Sequence, residues 1–524
     1  MEETKNPGSQ EVDLGFGVLS GLIAAGFGLA VGELLAGLSA RSRSPIAVIG
    51  DGVIDLVPQA IERWAINLFG TNDKAVLLVG ILISLVVLAS SIGVKTLGSA
   101  RPTIGVLGAT FAGLVAAAVG LTGRQGGIES AVPCLGAGVA SAVALWAFHH
   151  KAHATATDKE PLSSQAVPLA IDRRRFLVMS TYLGVSGVAV GGIGRVMQNR
   201  FRIAGERAAI IFPKAKRILP SPALDPALKL DGLSSLFTPQ SRFYRIDTAF
   251  VTPRVSIDDW TLKITGLVKK PMTLDFDDLI NRPLIETDVT IACVSNEVGG
   301  DLIGNARWLG VRLDDLLNEA GIDPGADQIV GRSVDGWTGG FPVSTLDGRD
   351  CIIAVGMNGE PLNADHGYPA RLVIPGLYGY VSATKWLSEI ELTRFDKFEG
   401  YWVPRGWSAL GPIKTHSRID TPRKRTIDAI ETAIAGVAWS PLHGITAVDV
   451  RIDDGPWQRA TLGPEQAKTT WRQWWWTWKP TPGDHTVQCR ATDGSGYVQT
   501  EETQDVIPDG ATGLHTISIS ARSV

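Results

Sequence analysis

Charge is scarce in this chain of 524 residues. Asp, Glu, Lys and Arg make up 19% of it and hydrophobic residues 45%, which is a low charged fraction for a fully soluble protein. The formal net charge is -4, and because a nucleic-acid partner normally requires a basic face, we expect no nucleic acid among its partners. The charges are also unevenly placed, since they are sparse from Leu14 to Phe148 and ordinary in number from Asp172 onward.

Cysteine is scarcer still. The chain has four cysteines and no CxxC pair, so neither a zinc knuckle nor a disulfide scaffold is predicted. It also lacks the motifs G-x-x-x-x-G-K-[ST], H-E-x-x-H and G-x-S-x-G. Nucleotide hydrolysis, zinc proteolysis and serine hydrolysis therefore have no support in the sequence.

What the sequence does contain is a series of long apolar runs near its N-terminus. They cover residues 14–38, 75–94, 104–122, 132–148 and 172–194. Most have about the length that crosses a bilayer, and the shorter run 132–148 is rich in small residues that let helices pack closely. Residues 1–195 are therefore predicted to be a membrane domain with about five transmembrane helices. Glu33, near one end of the first run, is either a functional carboxylate or one at the membrane interface.

The last apolar run begins with a cluster of arginines. Arg173 and Arg174, followed after one residue by Phe176 and Leu177, resemble the twin-arginine export signal. The alternative is an ordinary last span flanked by cytoplasmic positive charge. Both interpretations predict that everything beyond Arg195 lies outside the cytoplasm, and the first also requires the exported part to fold before it crosses.

Two further expectations concern the membrane domain. With the last helix oriented in this way, four cations fall outside, against the tendency of Lys and Arg to stay inside; they are Arg41, Arg43, Arg63 and Lys74. None of the eight histidines lies within a predicted span. Because a transmembrane b-type haem usually needs axial histidines within the helices, we expect no such haem in this chain.

From about residue 241 the pattern becomes mixed α and β. The runs 260–265, 351–355 and 371–374 have the composition of strands, and 271–280 predicts a short helix. Cys293 ends another strand, 290–293, where the chain turns into a polar loop. A thiolate at such a position is a good ligand for a transition metal. The alternative is a structural thiol, which is what we expect of Cys134, Cys351 and Cys489.

Several ordered motifs around Cys293 resemble the sulfite oxidase family of molybdopterin-dependent oxidoreductases. They are Ile291-Ala-Cys293-Val-Ser-Asn296, Asn305-Ala-Arg307-Trp308-Leu-Gly310, Met357-Asn-Gly359-Glu-Pro361, Asp365-His366-Gly367-Tyr-Pro369-Ala-Arg371, Pro375-Gly376 and Lys385-Trp386. The resemblance covers the chain from about Phe243 to the C-terminus. It implies a molybdenum-molybdopterin cofactor and two-electron oxygen-atom transfer on a small molecule, chemistry that belongs to the cofactor.

The resemblance also implies the site residues. Cys293 is the expected metal ligand, with Asn296 and Glu297 as further catalytic candidates in its loop. The remaining cofactor-binding positions are Tyr244, Arg245, Ser333 (with Asp335 as an alternative), His366, Arg371, Ala383, Thr384 and Lys385. Arginine and lysine suit this role because a buried phosphate needs charged donors. Electrons require a separate partner, namely a quinone, a cytochrome or a membrane redox protein.

The sequence departs from true sulfite oxidases at two points. Glu297 stands where they carry an anion-holding arginine, and Thr338 to Phe341 occupies the region of their active-site tyrosine. A carboxylate near the pocket would repel a small anion by about 1 kcal/mol or more, so sulfite is not the expected substrate. A neutral S-oxide or N-oxide is at least as good a candidate, and the sequence does not choose between substrates. The alternative is that Glu297 points away, paired with Arg307 or another base.

The C-terminal part reads as all-β. Short alternating runs at 447–452, 471–478 and 485–490, with turn signals between them, predict an immunoglobulin-like β-sandwich. It resembles the dimerisation domain of the family, which implies a homodimer through this domain. Five tryptophans between 471 and 478 are either core alone or core plus a contact surface, since tryptophan is enriched in interfaces.

The predicted architecture is therefore multi-domain. It comprises an N-terminal α-helical membrane bundle (1–195), a linker (196–240), a central α+β sulfite-oxidase-like molybdopterin domain (241–425) and a C-terminal immunoglobulin-like β-sandwich (426–524). It is expected in the cell membrane, in contact with lipid, with its catalytic domain outside the cytoplasm. The competing interpretation is a membrane-tethered immunoglobulin-like binding protein without a catalytic cofactor.

Overall fold

The computed structural model describes residues 14–39, 42–58, 61, 64, 68–69, 73–99, 101–124, 126–153, 173–199, 203–223 and 225–523. They form two compact units. The first comprises Met1–Arg202 and Thr248–Arg254, and the second Ile203–Asp247 and Val255–Val524, as far as these ranges are described.

The first unit is helical. Its helices are α1 (Leu14–Ala36), α2 (Pro45–Leu56), α3 (Asp73–Leu97), α4 (Thr103–Thr122), α5 (Ile128–His153) and α6 (Arg173–Asn199). All but α2 are long and apolar enough to cross a membrane, and they coincide with the five apolar runs. Glycines let them approach closely: a Cβ on Gly113 in α4 would lie 2.7 Å from Gly138 Cα in α5. Small residues serve this purpose where helices pack without a hydrophobic driving force.

Polar groups at one end of these helices pair within the unit. Arg43 forms an ion pair with Asp51 of α2, and Lys74 Nζ donates to the Ala249 carbonyl at 2.7 Å. Two of the four unexplained cations are thus paired, whereas Arg41 and Arg63 lie outside the described residues. The Glu33 carboxylate accepts a hydrogen bond from Gln198 Nε2 at 2.7 Å.

One expectation about this unit is wrong. The spanning stretch of α5 runs from Ile128 to Lys151, so His149 and His150 lie within its last turns rather than beyond it. His149 is 5% exposed, and its Nε2 lies 3.0 Å from the Ser99 carbonyl oxygen. The helix continues past Phe148 because no proline or glycine follows to end it.

The second unit begins with two sheets. Its elements up to residue 393 are α7 (Ala204–Ala209), β1 (Leu262–Gly266), β2 (Met272–Leu274), α8 (Phe276–Ile280), β3 (Leu284–Ala292), β4 (Ile303–Arg312), α9 (Leu313–Ala320), β5 (Gln328–Ser333), β6 (Thr338–Pro342), β7 (Ile352–Met357), β8 (Glu360–Pro361), β9 (Arg371–Val373), α10 (Gly379–Ser382) and β10 (Leu387–Thr393). One sheet has the order β2-β1-β10-β5-β6, and the other β3-β4-β7-β8 with β9 paired to β7. The mixed α and β pattern is therefore present as expected.

The short helix expected over 271–280 is correct only in its second half. Residues Met272–Leu274 pair with β1 as an antiparallel strand, and the helix starts after them. Asp275 fixes this start, because its Oδ1 accepts a hydrogen bond from the Asp278 backbone N–H at 2.7 Å and its own backbone N–H donates to Asp278 Oδ2 at 3.2 Å. Such a capping box satisfies two of the free N–H groups at a helix N-terminus.

The C-terminal part is β-rich. Its strands are β11 (His416–Thr421), β12 (Thr426–Asp428), β13 (Thr432–Trp439), β14 (Ile445–Ile452), β15 (Gln458–Arg459), β16 (Thr461–Leu462), β17 (Arg472–Trp478), β18 (Gly483–Asp493) and β19 (His515–Arg522). Two sheets, β11-β13-β17-β16 and β12-β19-β18-β14-β15, share a core around the fully buried Trp474. None of the five clustered tryptophans is exposed, which favours a core role.

The chain from residue 203 to 240, expected to be part of a linker, packs along the second unit. The Glu286 N–H donates to the Arg217 carbonyl at 2.9 Å, so this stretch extends the sheet beside β3. Further along, the indole N–H of Trp471 and the side-chain amide of Asn305 both donate to the Leu236 carbonyl at 2.8 Å. The extended stretch thereby obtains the hydrogen bonds that a buried backbone needs.

Candidate active site

The loop that carries Cys293 is held by the two strands it connects. β3 and β4 pair antiparallel up to Ala292 and Ile303, and the Cys293 N–H donates to the Leu302 carbonyl at 2.9 Å. The Asn296 side chain closes the loop from inside, because its Oδ1 accepts from the Leu302 N–H at 2.8 Å. The position of the sulfur is thus set by regular structure.

The Cys293 thiol is buried, at 7% exposure. Burial raises its pKa, while the Ser295 N–H and hydroxyl and the Val294 N–H lower it, since donors to sulfur favour the thiolate. A bound metal would deprotonate this thiol outright. Among the described residues, no three His, Cys, Asp or Glu side chains gather into a metal site. Cys293 offers a single thiolate as a ligand.

The two other candidates in this loop differ in exposure. Asn296 is half-buried and holds the loop, as described above. Glu297 is exposed, and Arg307 does not pair with it, because the Arg307 guanidinium binds Asp288 at 2.8 and 2.9 Å. The suggested Glu297–Arg307 pair is therefore wrong.

Residues of the C-terminal part also fix the loop, and sequence reasoning missed them. Arg418 of β11 donates from Nη1 to the Gly300 carbonyl at 2.7 Å. The His515 ring of β19 lies against Gly299, whose φ of 79° favours glycine; a Cβ there would lie 2.4 Å from His515 Nε2. No signal in the sequence places these two strands beside the cysteine loop.

Arg371 is a buried cation without an anionic partner in the described part of the chain. It is 5% exposed, and burial lowers its pKa to about 10. Its guanidinium donates long hydrogen bonds of 3.3 to 3.4 Å to carbonyl oxygens and lies 5.2 Å from the centre of the Trp308 ring. Because a buried charge is costly unless it is paired, this side chain is suited to an anion that is not a protein group.

A tight turn brings two further candidates to Arg371. Gly367 has φ of 102°, and a Cβ on it would lie 3.0 Å from Lys385 Cα and 3.1 Å from Arg371 Cβ. His366 is buried, and its Nε2 bonds the Gln240 carbonyl at 2.8 Å. Burial lowers the pKa of His366 to about 4, so the imidazole is neutral at physiological pH and Nε2 carries its proton.

Tyr244 links this cationic group to the cysteine. The Cys293 thiolate raises the pKa of Tyr244, after burial, whereas Arg371 lowers it, so the phenol lies within electrostatic reach of both. A Cβ on Gly379 would lie 3.7 Å from Tyr244 Oη and 3.7 Å from the Ala292 carbonyl oxygen. Helix α10 therefore borders both Tyr244 and the end of β3.

The remaining candidates lie around the same site. Ala383 ends α10, and its carbonyl accepts from Arg371 Nη2. The buried Thr384 hydroxyl has no partner among the described residues and faces β5, where a Cβ on Gly331 would lie 2.3 Å from it. Ser333 pairs with Leu387 at the end of β5. Arg245, more exposed, binds Asp247 at 2.9 Å and Asp365 at 2.9 Å.

These groups fit an anionic cofactor with a metal at one end. The unpaired Arg371, the Lys385 ammonium and the unpartnered Thr384 hydroxyl supply donors and positive charge in a buried place. The Cys293 thiol, like Arg371, lies within electrostatic reach of Tyr244. Phosphate and carboxylate are the groups that such charged donors bind most strongly.

Comparison with known proteins decides the family. The family described as "Oxidoreductase molybdopterin binding domain" matches residues 249–402. The "Uncharacterized oxidoreductase YuiH" of Bacillus subtilis is 36% identical over 29% of this chain and 74% of its own length. Human mitochondrial sulfite oxidase is 28% identical over 47% of this chain and 54% of its own length. The chain belongs to the sulfite oxidase family of molybdopterin-dependent oxidoreductases.

A further relative matches over a smaller share of its own length. "Nitrate reductase [NADH] 2" of Nicotiana tabacum is 28% identical over 43% of this chain and 31% of its own length. The chain spans about half the length of the mammalian sulfite oxidases it matches. The matched relatives are oxidoreductases, and so is this chain.

Sequence reasoning also missed a tyrosine near the cysteine of this family member. Phe341, from the region expected to replace the family's tyrosine, is fully buried in β6. Tyr378, just before α10, is 4% exposed, and its pKa is raised first by burial and also by the Cys293 thiolate. Its neighbour Gly376 was noticed as part of a motif, but nothing in the sequence directs the phenol toward Cys293.

Arg371→Met tests the cationic group. The substitution removes a buried charge, so the chain made in a host without the cofactor should unfold at a higher temperature. In a host that makes the cofactor, the variant should bind it about 10- to 100-fold more weakly, because hydrogen bonds to charged groups contribute about 1.5–3 kcal/mol. Molybdenum analysis and thermal unfolding measure the two effects. Arg282→Met, which breaks an exposed pair with Glu319, should show neither, and full molybdenum content in Arg371→Met would contradict this assignment.

Proposed function

We propose that this chain is a membrane-anchored, extracytoplasmic oxidoreductase. In this proposal it uses a molybdenum-molybdopterin cofactor for two-electron oxygen-atom transfer on a small substrate, with Cys293 as the protein's metal ligand. The observation that carries the proposal is that Tyr244 lies within electrostatic reach of both the buried Cys293 thiol at the end of β3 and the buried Arg371, which has no anionic partner among the described residues. Family membership makes the cofactor the natural occupant.

In this proposal, the chemistry of each side chain decides which part of the cofactor it binds. Arg371 and Lys385 would hold the cofactor's phosphate by charge, and His366 would contribute a neutral ring whose Nε2 proton is already held by Gln240. Tyr244, Arg245, Ser333, Ala383 and Thr384 would line the pterin. When bound, the cofactor supplies a two-electron metal cycle. The protein keeps the sulfur in place through the closed loop and excludes water through burial.

The substrate is proposed to be neutral. Glu297 and Asp301 are exposed carboxylates of the cysteine loop, and negative charge there disfavours a small dianion. Tyr378 is buried and within electrostatic reach of the Cys293 thiolate, and it offers a phenol that would remain protonated because burial raises its pKa. A protonated phenol can donate to an S-oxide or N-oxide oxygen. Electrons would pass to or from a quinone, a cytochrome or a membrane redox protein.

We propose that the long apolar helices anchor the enzyme in the membrane and that the C-terminal part joins two copies of it. The five long apolar helices would form the membrane bundle, with Arg173 and Arg174 at the cytoplasmic start of α6. The two C-terminal sheets share one core, which supports an immunoglobulin-like sandwich that would serve as the homodimer contact. The domain boundaries at residues 195, 240 and 425 remain our proposal.

Cys293→Ser should abolish turnover, because serine is a poor ligand for a soft metal site. The fold should persist, since Cys293 and serine differ little in volume. Activity with an artificial electron carrier and molybdenum content of the purified full chain are the measurements. Cys134→Ser, which replaces a buried thiol of α5 in the helical unit, is the control that should remain active. Wild-type activity in Cys293→Ser would refute the ligand assignment, and a wild-type chain without molybdenum from a cofactor-competent host would favour the binding-protein alternative.

Steady-state kinetics test the substrate proposal. Wild type should have a kcat/KM for sulfite well below the ~10⁴ M⁻¹s⁻¹ of competent enzymes and should reduce a neutral sulfoxide better. Glu297→Arg should raise kcat/KM for sulfite several-fold by replacing repulsion with attraction. Glu399→Arg, another exposed carboxylate, is the matched charge change. Efficient sulfite oxidation by wild type would overturn the proposal.

Replacing Arg173 and Arg174 with lysine tests the export signal. If the twin-arginine interpretation holds, the second unit should stay on the cytoplasmic side while the earlier helices insert. External protease should then fail to digest residues beyond Arg195. Arg175→Lys, the neighbouring position, should leave protease access unchanged, and unchanged access in the double variant would leave an ordinary membrane anchor.

A further inference from the structure

A buried carboxylate, Asp247, lies among the cations of the proposed cofactor site. Its side chain is 3% exposed, and no motif singled it out. Lys385 Nζ donates to Asp247 Oδ2 at 2.8 Å, and Arg245 Nε donates to the same oxygen at 2.9 Å. A negative group beside a phosphate site reduces the attraction for phosphate, so its presence requires a compensating role.

The surroundings of Lys385 indicate that role. Apart from Asp247, its ammonium donates to the Asp365 carbonyl at 3.1 Å and lies 4.7 Å from the centre of the Trp386 ring. Burial lowers the pKa of Lys385 to about 8, Asp247 opposes this shift, and Arg371 and Arg245 reinforce it.

His366, the other titratable neighbour, is neutral at physiological pH and adds no charge. With two guanidinium groups nearby and one side-chain carboxylate in direct contact, the charge of Lys385 depends on that carboxylate. A neutral lysine would retain a donor for phosphate but lose the attraction between opposite charges.

We propose that Asp247 is a positioning residue that keeps Lys385 charged and aimed at the cofactor's phosphate. The inference rests on the proposed function, which places that phosphate at Lys385. Asp247 therefore acts in two directions. It weakens binding slightly by repulsion wherever Lys385 is charged anyway, and it strengthens binding wherever Lys385 would otherwise lose its proton.

The proposal predicts that cofactor retention, plotted against pH for wild type and for Asp247→Asn, gives two curves that cross. Cofactor retention requires protonated Lys385, so it falls as pH rises through the pKa of that group. Without Asp247 this fall should occur about 1 to 3 pH units lower, the usual effect of an adjacent opposite charge. At mildly acid pH, Asp247→Asn should retain the cofactor as well as wild type or better, and at mildly alkaline pH it should retain several-fold less.

The experiment measures molybdenum and released pterin in the purified full chain after dialysis from mildly acid to mildly alkaline pH. Asp449→Asn, which removes a carboxylate paired with Arg459 and Arg490 in the C-terminal part, is the control and should follow the wild-type curve. Asp247→Asn combined with Lys385→Arg should restore retention at alkaline pH, because a guanidinium stays protonated without a counter-ion.

The experiment distinguishes a failure of the positioning role from a failure of the proposed function. A loss of cofactor from Asp247→Asn that is equal at every pH, or a double variant that is not restored, would overturn the positioning role and leave the proposed function intact. A wild-type chain without molybdenum would remove the proposed function and this inference with it. The crossing curves and the arginine rescue together support it, since a purely structural defect produces neither.

Discussion

The arrangement of the second unit depends on buried positive charge that the protein does not neutralise by itself. Arg371 has carbonyl oxygens around it and no carboxylate among the described residues, and Lys385 shares its carboxylate with Arg245. Such a cluster is costly in an empty protein and becomes favourable when an anion arrives. The fold around it is correspondingly rigid: the turn at Gly367, the end of α10 and the pairing of β9 with β7 all bring backbone into close contact there.

The loop that follows Cys293 also depends on strands that lie far away in the chain. Arg418 and His515 belong to β11 and β19, on different sheets of the C-terminal part, yet both reach the residues that follow Cys293. The core around Trp474 holds these two sheets together. A loss of packing in that core would therefore be expected to reach the loop through Arg418 and His515.

Local patterns were enough to predict seven of the nineteen strands named above and the strand-to-loop position of Cys293. The helix expected over 271–280 was half wrong because the capping of Asp275 outweighs the preceding composition. His149 was placed beyond its helix because an apolar run ends where side chains become polar, whereas the helix continues. Ordered motifs identified Arg371 and Lys385, but Asp247, Tyr378 and Arg418 act through contacts between distant segments. Such contacts leave no local trace in one sequence.

The chain passes from one compact unit to the other three times, because Thr248–Arg254 is part of the helical unit although its flanks are not. In that unit the Phe250 N–H donates to Asp51 at 3.0 Å, and the Phe250 ring occupies the space beside Gly50. The helices are thus not a tail that a single cut could remove. A gene shortened to begin at residue 203 would still encode these seven residues and would deprive them of their partners. In evolution, gain or loss of the helical unit would have required a matching change in this internal segment, one peptide bond away from Asp247.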